Sequence, residues 1–320
     1  MIVRVLAAAL GACTMTSAIA QNYPAKPIRI IAAQSAGGVT DALARTFAQK
    51  FNEAMKQPVV VENRAGAGGA IGTEVVVRAA PDGYTLLLSS AGPIVINQSL
   101  YPALGYDPLK TLVPITFVAA SPLVLVTHPS VPAKSLAELI ALAKARPGKL
   151  TYGSGGSGSP PHLTAELFKT AARVDITHIP FKGSAPSVLA LVGGQIDLSF
   201  STVVITLPQV QASRLRALAV TSPQRSKALS WLPTMIEAGM PGFESQQWFG
   251  LFGPAGLLSE IVAQLNLEAT RIVSSPEMRE RLAADGAEPG TLTQREFGAF
   301  LQADAVRWAR VVKQSGAKAE

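Results

Sequence analysis

The chain has 320 residues, 48% of them hydrophobic and 15% charged, with 27 glycines, 23 prolines and a net charge of +7. This balance excludes a disordered chain, which needs low hydrophobicity and high charge, and a coiled coil, which is charge-rich and nearly free of Gly and Pro. At about 100–200 residues per domain the length fits two domains, and the basic residues form no block interleaved with aromatics of the kind that nucleic-acid binding requires.

Met1 to Ala20 carries one arginine, an apolar stretch and the small residues Ala18 and Ala20 flanking Ile19. The pattern predicts a secretory signal peptide cut before Gln21. Cys13 follows Leu10-Gly11-Ala12 and admits a lipoprotein alternative, ranked lower because a better cleavage site lies downstream. Cys13 is the only cysteine, so a mature chain from Gln21 has neither disulfides nor thiolate metal sites. The apolar stretch Leu112–Val126 is broken by Pro114 and Pro122, so no later segment is expected to span a membrane.

From Lys26 onward short apolar runs alternate with helical periodicity. Strands are predicted at 28–31, 59–61, 84–88, 122–126, 150–152, 176–179, 196–200 and 215–220. Helices are predicted at 40–55, where Leu43, Phe47 and Phe51 recur every four residues, and at 73–80, 136–146, from Pro160, and at 185–192. Ser135 with Glu138 reads as a capping box. The C-terminal part reads as mostly helical, with Ser259 as one cap and Thr293 with Glu296 as a second capping box. That last helix carries Phe297, Phe300, Leu301, Trp308 and Val312. Strand–helix alternation implies α/β architecture with parallel sheets flanked by helices.

An internal echo suggests two lobes. A strand, the turn Gln34 to Thr40 and a helix form one unit; a strand, the turn Gly153 to Ser159 and a helix form another. Placing Gly37 on Gly158 also brings Asp41 onto His162, Ala44 onto Ala165 and Phe47 onto Phe168.

The motifs exclude several chemistries. His128, His162 and His178 are the only histidines and show no metal-ligand spacing, so no metal and no cofactor is expected. No GxSxG and no Walker A occurs, and Gly66 to Gly72 fails the dinucleotide fingerprint because Ile71 stands at the third glycine. That stretch reads as a turn letting the second helix pack closely. Anion recognition remains. Helix N-termini expose backbone N–H groups and a partial positive charge of about 0.5 e, and glycines before them let a carboxylate approach. Ala36-Gly37-Gly38 before one helix and Ser154, Ser157 and Ser159 before another form two such cradles; Ser89 and Ser90 add donors past a strand. Together they could clamp both ends of a small dianion.

Further blocks sharpen this reading. They include Ala36-Gly37-Gly38-x-Thr40-Asp41, Val60-Val61-Glu62-Asn63-Arg64-x-Gly66-Ala67-Gly68-Gly69 and Ala80-Pro81-Asp82-Gly83-Tyr84. Tyr101-Pro102, Tyr152-Gly153-Ser154, His162-Leu163, Phe181-Lys182-Gly183 and Gly193-Gly194-Gln195-Ile196-Asp197 follow in order, then Leu215 to Thr221 and Pro233-Thr234 with Glu237-Ala238-Gly239. In these blocks the chain resembles the substrate-binding receptors of the tripartite tricarboxylate transporter family, the Bug-type periplasmic solute receptors.

The resemblance implies a two-lobed, type II periplasmic binding protein, or Venus flytrap, each lobe a mainly parallel sheet flanked by helices. Lobe 1 would comprise 21–121 with 222–320, and lobe 2 would comprise 122–221. The implied function is a monomeric periplasmic receptor, not an enzyme, that captures a di-, tri- or aromatic carboxylate and delivers it to a membrane permease. Ala36, Gly37, Gly38, Ser90, Ser154, Ser157 and Ser159 would line the site, and Ser89 and His162 complete the candidate set with the following departures. Family members usually carry Pro-aromatic-Pro before Ala-Gly-Gly; here Ala33-Gln34-Ser35 stands there, and Gln34 could hydrogen-bond a ligand where an aromatic would stack. Ser201-Thr202 replaces a frequent Asp and Asn after Phe200, which removes a partner for a ligand ammonium and argues against amino acids. Val203-Val204 replaces Leu-Pro, and Trp248 reads as core rather than pocket wall. The alternative is an exported serine hydrolase using a serine of 154–159 with His162, weakened by the absence of an acid placed to orient the imidazole.

Overall fold

The computed structural model describes residues 23–317 apart from 35, 38, 102, 182, 183 and 285. The expected signal peptide, Cys13, Gly38 and the motif residues Pro102, Lys182 and Gly183 therefore lie outside the described residues. The described chain builds one ten-stranded sheet in the order β2-β1-β3-β9-β4-β7-β5-β6, with β10 and β8 also pairing with β4. In chain order the first elements are β1 (Ile28–Ala32), α1 (Val39–Met55), β2 (Val59–Asn63), α2 (Ala70–Val77) and β3 (Thr85–Ser90). A π-helical turn Gly92–Ile96, α3 (Asn97–Leu100) and α4 (Pro108–Thr111) lead to β4 (Leu112–Thr127). Then come α5 (Leu136–Ala145), β5 (Thr151–Ser154), α6 (Pro160–Ala172), β6 (Thr177–Pro180), α7 (Ser184–Val192), β7 (Leu198–Thr202), α8 (Val203–Gln211) and β8 (Arg216–Val220). The chain ends with β9 (Gln246–Pro254), α9 (Ser259–Ser274), α10 (Pro276–Ala284), β10 (Glu288–Pro289) and α11 (Gln294–Ser315).

The helices follow their apolar spacing. Leu43, Phe47 and Phe51 are buried on the face of α1 that meets β1 and β2, in a core shared with Leu265 and Ala269 of α9. Each fully buried phenylalanine of this kind contributes roughly 1.5–3 kcal/mol. Thr293 and Glu296 form the expected reciprocal capping box at the start of α11. Ser135 accepts from Glu138 N, but the Glu138 carboxylate takes the N–H of Lys134, so the second half of that box is displaced by one residue. Ser259 is the first residue of α9 rather than its cap, which is Leu258.

Two strands depart from expectation, and both matter for the site. The strand expected at 122–126 is the second half of β4, which starts at Leu112 and runs through both prolines. Register shifts between Pro114 and Thr116 and between Phe117 and Ala119 absorb the disruption, as irregularities do where a proline removes a ladder donor. β4 pairs with β9 from Leu112 to Pro122 and with β7 and β8 from Leu123 or Val124 onward, so it changes partners midway. β9 falls in the C-terminal part read as mostly helical, where no strand was expected. Gly250 and Gly253 interrupt its apolar run, yet the strand inserts antiparallel between β3 and β4. A side chain at Gly250 would stand 2.6 Å from the Phe297 ring, which explains the glycine. Trp248 of β9 is core, as expected: it is fully buried, packs edge-on against Phe297 and donates through Nε1 to Asp304 at 2.7 Å.

Candidate functional site

The largest cavity described, about 710 Å³, opens where four strand-to-helix connections and β9 meet. The first connection follows β1. Gln34 lies along the wall with its amide fixed: Thr40 Oγ1 donates to Oε1 at 2.7 Å, and Nε2 lies 3.4 Å from Ser90 Oγ. Ala36 and Gly37 also line the cavity. Gly37 has φ +83° and donates its N–H to Asp41 Oδ2 at 2.9 Å. That bond, then Arg45 3.0 Å from the other carboxylate oxygen, holds the Asp41 carboxyl below its usual range. The N–H of Gly37 is thus used within the loop rather than offered to a ligand.

The second connection, Gly66 to Gly69 before α2, was read from sequence only as a packing turn. It is that and a cavity wall as well. Gly66, Ala67, Gly68 and Gly69 all have positive φ, a run that glycine makes affordable. A side chain at Gly72 would stand 2.6 Å from the Arg64 carbonyl and 2.8 Å from Ala33 Cα, so α2 is drawn against the end of β1. Beneath the turn, Asn97 Nδ2 donates to the Gly68 carbonyl at 3.2 Å, and Asn97, Leu100 and Tyr101 join the lining.

The third connection follows β3. Ser90 faces the cavity, whereas Ser89, one residue earlier on the pleat, does not line it and is buried with a hydroxyl that has no partner. The fourth follows β5 and contributes Gly155, Ser157, Gly158, Ser159 and Pro160. Ser154 is drawn out of the cavity: its hydroxyl accepts from Gly156 N at 3.1 Å and lies 2.7 Å from His178 Nε2. His162 also does not line the cavity; its Nδ1 accepts the N–H of Gly158 at 2.9 Å. Ser201 and Thr202 lie in β7, paired with Val124 and Leu123, and do not line it either. The structure therefore brings together Gln34, Ala36, Gly37, Ser90, Ser157 and Ser159, leaves out Ser89, Ser154, His162, Ser201 and Thr202, and does not describe Gly38.

The side chains lining the cavity, among the described residues, include no Asp, Glu, Lys, Arg or His. Gly69, which caps α2, the first residues of the turn Gly92–Ile96 and of α6, and the loop leading into α1 stand at its edge. Helix starts of this kind favour an anion, and the described lining adds no charged side chain. Gln247 of β9 supplies a further amide from the segment joining the two parts of the sheet. Leu100 and Gly158 approach each other across the cavity, since a Cβ on Gly158 would lie 2.7 Å from Leu100 Cδ1. Among the described residues no group of three His, Cys, Asp or Glu could hold a metal, and no helix is long and apolar enough to cross a membrane.

The profile of the "Tripartite tricarboxylate transporter family receptor" matches residues 43–317. Protein BugT of Bordetella pertussis is 40% identical over 319 residues, covering 98% of each chain. Among solved structures, "R. palustris Rpa4515 with adipate" is 36% identical with a TM-score of 0.80, covering 92% of this chain and 99% of that one. "MatC (Rpa3494) from Rhodopseudomonas palustris with bound malate" is 30% identical with a TM-score of 0.77, covering 91% of this chain and 100% of that one. The mixed α/β fold is that of periplasmic binding proteins.

Proposed function

The chain belongs to the tripartite tricarboxylate transporter receptor family, and on that premise we propose that it captures a small organic acid with a carboxylate at each end and hands it to a membrane permease. The observation that carries the choice of ligand is a cavity whose described lining has no charged side chain and offers the amides of Gln34 and Gln247 and the hydroxyls of Ser90, Ser157 and Ser159 beside helix starts. Such a site stabilises a dianion through dipoles already in place and offers no acid to an ammonium group. This lack of a lining acid supports the exclusion of amino acids better than Ser201 and Thr202 do, because those two residues stand outside the cavity. Adipate and malate, bound by the two similar proteins, are the first candidates.

In this reading lobe 1 comprises 21–121 with 222–320 and lobe 2 comprises 122–221. The partner exchange of β4 at Pro122 and Leu123 supports the first boundary. The Thr221 hydroxyl, which bridges Leu123 and Ser245, supports the second. The receptor works as a monomer in the periplasm after removal of Met1–Ala20. It performs no chemistry: Ser154 is buried behind the loop, His162 Nδ1 is taken by a backbone N–H, and the nearby Glu166 is held by Tyr152 and Lys169 rather than by an imidazole.

A thermal-shift panel of organic acids tests the proposal. A true ligand at 100 times its Kd adds about 2.7 kcal/mol of stability. No shift with any di-, tri- or aromatic carboxylate would refute it, and ester hydrolysis lost in Ser157→Ala would refute the non-catalytic reading.

A further inference from the structure

We propose that His162 is the positioning residue of the loop Gly155 to Ser159 and that its neutral ring makes ligand capture fail in acid. A backbone N–H can only donate, so the 2.9 Å contact from Gly158 makes His162 Nδ1 an acceptor and leaves the ring hydrogen on Nε2. A proton on Nδ1 would set two donors against each other at that distance. The loop would lose the bond that holds Gly158, at φ +78°, against the wall carrying Leu100.

The surroundings tie the loop to this ring at both ends. His178 of β6 stacks on His162 with centroids 4.2 Å apart and planes at 19°, and its Nε2 lies 2.7 Å from the hydroxyl of Ser154, where the loop begins. Two charged imidazoles at that spacing would repel, so the stack admits one proton rather than two. Tyr152 of β5 stacks on both rings and donates its hydroxyl to Glu166 at 2.6 Å, while Lys169 pairs with Glu166 at 2.9 Å. On α11, which also packs against α6, Asp304 and Arg307 are paired with each other. Among the described residues these acids and bases stand in pairs.

The opposite cradle shows what the histidine changes. There Gly37 donates to Asp41, whose carboxylate remains an acceptor throughout the range in which an imidazole titrates. One wall of the cleft is insensitive to mild acid and the other is not.

The binding arm of the test rests on the proposed receptor role; the second arm does not. Adipate and malate are titrated into the full chain at about pH 7.5 and about pH 5.5, on either side of the ordinary histidine value. Wild-type affinity should fall about tenfold, the size expected for losing one buried hydrogen bond. His162→Asn, whose Oδ1 accepts without titrating, should show only the fall that protonation of the acid itself causes. His162→Phe, which keeps the stack and loses the acceptor, should bind weakly at both. Protonation of the acid itself is common to all three proteins and cancels. A flat wild-type profile, or a drop of the same size in His162→Asn, overturns the proposal. Failure of both acids to bind wild type at the higher pH would count against these ligands instead. Isotope-labelled histidine NMR on ligand-free protein then decides: the Nε2–H tautomer at His162 supports the proposal, and the Nδ1–H tautomer overturns it.

Discussion

Gly158 gives its backbone N–H to His162 Nδ1 at 2.9 Å, and on the opposite wall Gly37 gives its own to Asp41 Oδ2 at the same distance. The two pairs occupy corresponding places in the two strand–turn–helix units. The sequence echo that set Gly37 on Gly158 and Asp41 on His162 therefore has a physical content: each cradle is closed by the side chain four residues on. Different side chains perform the same local task, a carboxylate on one wall and an imidazole on the other.

The pair of Gly37 and Asp41 makes a pH prediction. The Asp41 carboxyl lies lower in the fold than its ordinary value of 3.8, chiefly through Gly37 N–H and then through Arg45. A carboxyl lowered by folding adds stability above the unfolded value, and that stability is lost as pH falls through the folded one. Asp41→Ala should therefore cost about 1 kcal/mol near pH 6 and progressively less below about pH 3. Urea denaturation at both values measures it, and an equal deficit at the two would show that the charge contributes nothing.

The approach of Gly158 to Leu100 predicts coupling across the cleft. In Gly158→Ala the new Cβ meets Leu100 at 2.7 Å and the backbone holds φ +78°, which costs about 1–2 kcal/mol for a residue other than glycine. Adipate affinity should fall about tenfold. Adding Leu100→Ala should relieve the steric part alone, leaving a coupling energy of at least about 0.5 kcal/mol in a double-mutant cycle by calorimetry. Strict additivity would mean that the walls do not meet in the bound protein.

Trp248 and Asp304 predict a stability effect away from the ligand. Asp304→Ala leaves the buried indole N–H without an acceptor and Arg307 without its carboxylate, at a cost of about 2 kcal/mol. Asp304→Asn keeps an acceptor for the indole and should cost less. Chemical denaturation followed by tryptophan fluorescence compares the two, and equal losses would indicate that the charge on Asp304 matters more than the hydrogen bond.

Much of the fold was legible because it is written locally. The fourfold spacing of Leu43, Phe47 and Phe51 marked α1, and Thr293 with Glu296 marked the start of α11. β9 was not legible. Its glycines break the apolar pattern, and they are required by the Phe297 ring and other side chains supplied from elsewhere in the chain. α8, with β-branched residues and Pro208, likewise carried no helical signature.

The same division runs through the site. The sequence by itself determined the alternation of strand and helix and the glycine and serine content of two strand-to-helix turns, since each of these depends on neighbours in the chain. Only the tertiary structure decided which groups face the cavity. Strand pleat set Ser90 inward and Ser89 away, a turn with Gly156 and contact with His178 withdrew Ser154, and the close approach of α2 to Ala33 brought Gly66 to Gly69 into the wall. A hydrogen bond has one geometry and a donor such as Gly37 N–H has one proton. Whether that proton meets a ligand or a side chain depends on where packing places the acceptor, and residue spacing alone does not contain that information.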